Sequence, residues 1–489
     1  MRILIPVLYR LGIALALFAV TMFVPLVIAW LGDDTEPSAY GDAFAITFAC
    51  GAFLYVVTRA IVGRAARELQ PREAFLLASL LWTVPPFFAA LPFVFHGLGG
   101  GFIGAYFEAV SGLTTTGATV LSGLDALPPS LLVWRALLVW IGGMGFLVLA
   151  VAILPWLGVG GYQVFKAATP GPMKDARLTP RIAETAKGLY GVYLALSLAC
   201  FLALRWAGMS WLDAFCHMCS ILGLGGFSTH DANFAYFDSL TIEIVASFFM
   251  VVAALNFATH FRAWQDKRLG AHLRSPESRW TVAVIALAVA AVTVALTAHH
   301  TYPDWTSALR AALFNTVSLA TTAGFSSADY NAWPAFAPLL MLLLSCFAAS
   351  AGTAGGGVKM IRALLLTKQA GRELTRILHP RVVNPVLLAG VHVENKVIFS
   401  VLAFMLAYGI IFIGLTLLML ASGLDLVTAF SAVLACLNNL GPGLNRVGPT
   451  ATYATLSDFQ AWVCIAAMLL GRLELFTLLV VFTPGFWRK

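Results

Sequence analysis

Four short stretches carry the residues of this chain whose types and spacing point to chemistry. They are Thr114-Thr115-Thr116-Gly117-Ala118, Gly223-Leu224-Gly225-Gly226-Phe227, Thr321-Thr322-Ala323-Gly324-Phe325 and Asn438-Asn439-Leu440-Gly441-Pro442. Their glycines Gly117, Gly226, Gly324 and Gly441 are 109, 98 and 117 residues apart. What they offer is bare backbone. Glycine reaches backbone angles closed to other residues and leaves no side chain in the way. Carbonyl oxygens from several such loops, converging on one axis, replace the hydration shell of a hard monovalent cation such as potassium.

Each glycine follows an apolar segment of about 13 residues, too short to cross a bilayer core of roughly 30 Å as a helix. Longer apolar segments flank it on both sides. This pattern predicts a re-entrant pore helix, followed by extended backbone inside the membrane. Such backbone is tolerated only where it lines a water-filled path or is buried in protein. Aligned on the glycines, the four units match. Eleven residues before lie the bulky Tyr106, Phe215, Leu313 and Phe430. Six before lie the small Ser111, Ser220, Ser318 and Ala435, and two after lie Thr119, Ser228, Ser326 and Gly443.

The composition agrees. Of 489 residues 60% are hydrophobic and 11% charged, against about 25% charged in soluble domains. The expected fold is an all-α polytopic membrane protein. Two N-terminal spanning helices, near 11–31 and 42–63, form a region over 1–70. Four pseudo-symmetric helix–pore helix–filter loop–helix repeats then surround one pore, over 71–160, 178–268, 276–370 and 392–486. Their short helices fall near 103–115, 211–223, 305–321 and 425–437, giving ten spanning helices and four half-length ones. The first apolar run resembles a signal sequence but has no clear cleavage site, and is expected to be a retained helix.

The net charge of +7 does not point to nucleic acid. With the N-terminus inside, 25 of the 30 Lys and Arg fall on inner segments, four (Arg135, Arg205, Arg310, Arg446) on the outside, and Arg472 within a span. By the positive-inside rule both termini are cytoplasmic, the four loops dip in from outside, and the basic surface faces anionic membrane lipid.

In that order the four motifs look like the filter loops of the Trk/Ktr/HKT superfamily of potassium transporters. The resemblance covers essentially the whole chain. The extra N-terminal helix pair points to the bacterial Trk membrane subunits (TrkH/TrkG-like) of the cell inner membrane. The resemblance implies potassium uptake, with ions contacting the carbonyls of Thr115, Thr116, Gly117, Leu224, Gly225, Gly226, Thr322, Ala323, Gly324, Asn439, Leu440 and Gly441. Some sodium-carrying plant members have serine at the first filter glycine, so Gly117 implies potassium preference. A homodimer and a cytosolic ring of nucleotide-binding regulatory subunits (TrkA-like) are implied too, with the basic loop Lys359–Lys396 as a docking surface or a simple topology determinant. No cofactor is implied, potassium being cargo. A less selective or a sodium- or proton-coupled symporter of the same architecture is the alternative.

Two features are unequal among the repeats. Ala351-Gly352-Thr353-Ala354-Gly355-Gly356-Gly357 lies midway along the last long segment of repeat three. Four glycines in six residues weaken a helix by about 1 kcal/mol each relative to alanine. The family resemblance makes Gly352, Gly355, Gly356 and Gly357 part of an intramembrane gate loop; close helix packing is the other reading. Arg472 lies in the last span, where an isolated charge costs about 3 kcal/mol. The resemblance gives it a pore-facing role below the filter, against an ion pair with another helix; Glu474, two residues away, does not share its face. Glu108 and Asp213, near the outer ends of two short helices, read as helix caps or as cation-attracting charges at the mouth.

An intramembrane enzyme is the different-class alternative. It requires convergent ionisable groups, and His217, His260 and His299-His300 form no ligand or catalytic pattern. The seven cysteines are scattered through apolar runs, including the Cys216/Cys219 pair, and read as buried small hydrophobes.

Overall fold

In the computed structural model the residues described are 3–32, 34, 36–62, 69–152, 179–267, 270–388 and 390–488. Arg2, Arg64, Arg67, Lys166, Lys174, Arg177, Arg268 and Lys489, all counted above for topology, lie outside them.

Nearly every element is a helix; one short hairpin pairs Leu387–Leu388 with Val391–His392. Large apolar side chains on the long helices face outward, among them Leu198, Val294, Leu406 and Ile410. The centre holds fully buried polar residues such as Thr116, Ser220, Thr321 and Asn438. That inversion is the arrangement a lipid solvent selects, since lipid leaves apolar surface unpenalised while polar groups must find partners inside.

Helices Leu4–Val20 and Ser38–Val62 cross closely at two glycines. A Cβ on Gly12 would lie 2.7 Å from the Tyr55 amide nitrogen, and one on Gly51 would lie 2.7 Å from that of Ala16. Close approach at small residues is how helices gain packing energy where no hydrophobic drive separates them from lipid.

Four helix groups follow. Pro71–Ala89 leads to the short helix Phe102–Leu113 and then to Pro129–Ala152. Thr179–Trp206 leads to the short helix Trp211–Gly223 and Leu240–Ala254. Pro276–Ala298 precedes the short helix Trp305–Ala320 and Phe336–Ser345. Asn395–Ala421 precedes the short helix Leu426–Leu437 and Asp458–Arg472.

Three of the ten expected spanning segments are interrupted. Among the described residues seven helices are long and apolar enough to cross a membrane, or nine if two bent pairs each count as one. The pairs are Leu240–Ala254 with Phe257–Gln265, bent by 93°, and Asp458–Arg472 with Phe476–Phe482, bent by 104°. The segment expected near 335–366 is divided too: helix stops at Ser345 and resumes at Met360. The breaks have local causes. Asn256 caps the helix after the first, its Oδ1 accepting from the Ala258 amide at 2.9 Å. Glu474 and Leu475 both take positive φ at the second. The third is the glycine-rich stretch itself.

Gly51→Leu should force the first two helices apart and cost about 1–3 kcal/mol, as overpacking typically does. It should appear as a lower melting temperature in detergent with unchanged ion selectivity; an unshifted melting temperature contradicts the close crossing.

Candidate functional site

The four short helices end alike. Thr115, Leu224, Thr322 and Asn439, two residues before each glycine, take φ of 54°, 52°, 61° and 50°. Their amides bond back to Gly112, Ile221, Leu319 and Cys436 at 2.9–3.2 Å. The next amides, of Thr116, Gly225, Ala323 and Leu440, bond to the carbonyls of Ser111, Ser220, Ser318 and Ala435 at 2.8–2.9 Å. This is the Schellman termination, in which a left-handed residue and two backward bonds close the helix. Glycine normally takes the left-handed position; these four residues hold it at about 1–2 kcal/mol each. Gly117, Gly226, Gly324 and Gly441 then turn to positive φ again, at 81°, 64°, 78° and 97°.

The loops close on one another in order. A Cβ on Gly117 would lie 2.1 Å from the Gly225 oxygen, and one on Gly226 would lie 2.6 Å from that of Ala323. One on Gly324 would lie 2.0 Å from the Leu440 oxygen, and one on Gly441 would lie 2.6 Å from that of Thr116. Each glycine thus abuts the carbonyl just before the glycine of the next loop, and the fourth returns to the first.

Twelve carbonyls belong to the three-residue segments ending at these glycines. Eleven of the twelve residues are buried and Gly117 is half-buried. Two carbonyls have donors: Gly441 accepts from the Tyr453 hydroxyl at 2.8 Å, and Gly225 from the Phe227 amide at 2.9 Å. The other ten accept no hydrogen bond among the described residues. Buried backbone groups are almost always paired, so ten unpaired oxygens in one place form a ready ligand set. On one side of the ring a cavity of about 220 Å³ is lined by the four glycines and by Thr119, Ser228, Ser326 and Tyr453.

Residues 346–359 lie directly on the other side. The Gly356 amide donates to Thr322 Oγ1 at 3.0 Å, and a Cβ there would fall 1.8 Å from the Asn438 oxygen. Gly355 lies against Thr321 and Thr322, and Thr115 Oγ1 donates to the Ala354 carbonyl at 3.4 Å. Gly352 and Gly357 take positive φ. Gly355 and Gly356 serve close approach to the ring, while Gly352 lies against Asn256 and Gly357 against the carbonyls of Ser345 and Cys346. Glu277 accepts the Ala351 amide at 2.6 Å and Ala254 accepts that of Ser350 at 3.0 Å, so the stretch is tied to the break in Leu240–Gln265.

Arg472 is buried, with Nη1 donating to the Ala354 carbonyl and Nη2 to that of Gly142 at 2.8 Å. Its guanidinium lies over the rings of Phe146 and Trp82. Glu474 pairs with Arg362. Lys359, counted from sequence as an inner-loop charge, is fully buried, and its ammonium donates to the Gly355 carbonyl. It therefore offers nothing to a cytosolic docking surface.

The acidic residues of the short helices depart from expectation as well. Glu108 caps nothing: the N-cap of its helix is Gly101, and the carboxylate is buried against Arg135 at 2.8 Å. Asp213 sits in the first turn of its helix, where Ser210 is the cap and accepts the Asp213 amide. Asp425 caps the fourth short helix, and the Thr428 side chain and amide hold its carboxyl below the usual range.

The family model for TrkH, described as a cation transport protein, matches residues 41–489. The chain belongs to the TrkH family. It is 44% identical over 480 residues to the Trk system potassium uptake protein TrkH of Halomonas elongata, which covers 98% of each chain. Identity to TrkH of Escherichia coli is also 44%, over 479 residues and 98% of each chain. The TrkG potassium uptake protein of E. coli is 35% identical over 98% of this chain and 97% of its own. Among solved structures, the crystal structure of the potassium transporter TrkH from Vibrio parahaemolyticus superposes with a TM-score of 0.91 at 41% identity, over 99% of this chain and 100% of that one. The family resemblance carried by the glycine motifs is thereby borne out, and the enzyme alternative falls, since TrkH proteins are transporters.

Sequence reading found the four loops of this TrkH-family chain but missed Tyr453, Arg135 and Lys359. Lys359 follows three glycines and was masked by the basic run after it. Arg135 and Glu108 were visible as lone charges in apolar segments, a signal for a buried pair.

The contact distances rank the ring positions. Gly117→Ala and Gly324→Ala, at 2.1 and 2.0 Å, should lower folded yield and melting temperature more than Gly226→Ala and Gly441→Ala, both at 2.6 Å. The reverse order in detergent-purified protein contradicts the closed ring.

Proposed function

We propose that the chain takes up potassium across the cytoplasmic membrane through the ring formed by the four loops, with the 220 Å³ cavity as its outer mouth. The ten unpaired carbonyls carry this reading. They offer a dehydrated cation oxygen ligands at no cost in broken protein hydrogen bonds. The names of the relatives, potassium uptake proteins of the Trk system, point the same way.

The same reading makes residues 346–359 the gate. The stretch closes the inner side of the ring through glycines that allow contact, and two buried cations hold its carbonyls. Arg472 also opposes cation passage by its field. A unit charge some 8 Å from an ion, at an effective dielectric constant of about 20, raises its energy by about 2 kcal/mol. Release of the gate falls to a cytosolic nucleotide-binding subunit acting on a homodimer, with both termini on the cytoplasmic side. The name of the Trk system and the inner bias of basic residues support that assignment.

The reading is tested by flux in liposomes and by growth rescue of a potassium-uptake-deficient host. Gly117→Ser places a side chain against the Gly225 carbonyl, and should weaken potassium-over-sodium discrimination while flux persists. Unchanged discrimination contradicts the ring as filter. Arg472→Ala should raise basal potassium flux roughly thirtyfold, the rate equivalent of about 2 kcal/mol; unchanged flux contradicts the barrier.

A further inference from the structure

Nine residues before the ring glycines, inside the short helices, stand Glu108, His217 and Asn315, all fully buried. Each binds the strand that leaves its own glycine. Glu108 accepts from Thr119 Oγ1 and the Val120 amide, both at 3.0 Å. His217 Nε2 meets Ser228 Oγ at 3.0 Å. Asn315 Oδ1 accepts the Ser327 amide at 3.2 Å, and its Nδ2 donates to Ser327 Oγ at 3.0 Å. The fourth helix uses the neighbouring position: Ser431 Oγ accepts the Leu444 amide at 2.9 Å.

Only Glu108 in this set carries a carboxylate. A buried charge needs a partner and full hydrogen bonding, and Arg135 supplies both. Its Nε donates to Glu108 at 2.8 Å, Nη2 to Thr119 Oγ1 at 3.3 Å, and Nη1 to the Ser228 carbonyl in the second loop at 3.1 Å. Its guanidinium lies 4.3 Å from the centre of the Phe227 ring. On the other side the Tyr453 amide donates to the Thr119 carbonyl at 2.8 Å while its hydroxyl holds Gly441. One chain of bonds thus joins the strands leaving Gly441, Gly117 and Gly226.

We infer that Glu108 and Arg135 are positioning residues for ion selectivity: as a buried pair behind the ring they set the spacing of three of its four strands. Neither side chain contacts the ion. Their effect is transmitted through Thr119, Ser228 and Tyr453 to the adjoining glycines. The inference rests on the ring being the filter.

Removing one partner leaves an uncompensated buried charge, which by itself destabilises the fold. The informative variant is therefore the neutral double replacement, E108Q with R135M, beside each single. Potassium-over-sodium permeability in liposomes is read together with melting temperature. The double variant should recover the folded yield lost in the singles yet keep a permeability ratio roughly tenfold below the parent, because ring spacing decides which ion is coordinated well. R135K should fall between, since lysine cannot repeat the fork of donors. R310Q is the control; the Arg310–Glu243 pair, at 2.8 Å, is partly exposed and bonds no strand of the ring. A parental ratio in the folded double variant overturns the inference. If Gly117→Ser changes the ratio while the double variant does not, the filter stands and the pair is structural only. If neither changes it, the filter reading itself falls.

Discussion

The structure depends on one contact made four times: the α-carbon of a glycine against the carbonyl oxygen of the next loop. Nothing larger than hydrogen fits there, with Cβ positions falling 2.0–2.6 Å from oxygen. The contact fixes how far apart the four strands stand, and so where their carbonyls are held. It requires four short helices to end at the same depth, which the repeated Schellman bonds accomplish. It also leaves backbone carbonyls without protein hydrogen-bond partners, which is tolerable at membrane depth only where they line a water-filled path or are buried in protein.

Around this near-symmetric ring the supports are unequal. The strands are anchored by a carboxylate–guanidinium pair, a histidine, an asparagine and a serine in turn. Among the described residues, the third helix group lays its glycine-rich stretch against the ring, and Arg472 of the fourth donates to that stretch at Ala354. Both bent helices meet at the same level: the break at residues 255–256 holds Ser350 and Gly352, and the helix ending at Arg472 holds Ala354. Movement of either bent helix therefore acts on the stretch under the ring.

Much of this was legible in the sequence. The half-length apolar segments and their glycines located the loops to within a few residues, because membrane thickness and backbone satisfaction are strict constraints. The small residues six positions before each glycine were visible too; their carbonyls receive the first amides of the ring strands. The bent helices were not legible. Polar residues do mark the breaks, Asn256 in Leu240–Gln265 and Glu474 in Asp458–Phe482, but hydropathy records polarity, not direction. Lys359 was misplaced for the complementary reason: it begins a basic run, and only the fold turns it inward to a carbonyl. Glu108 reads from sequence as a cap, but it stands mid-way along Phe102–Leu113 and pairs with Arg135, 27 residues later in the chain.

The most direct measurement is the location of ions. Crystals or cryo-frozen particles prepared in rubidium or thallium, both potassium surrogates of high scattering power, should show ion density enclosed by the carbonyls of Thr116, Gly225, Ala323 and Leu440 and their neighbours, reduced when sodium replaces the surrogate. A ring empty of ions under those conditions, with surrogate bound elsewhere in the protein, would contradict the assignment of these carbonyls as the potassium ligands.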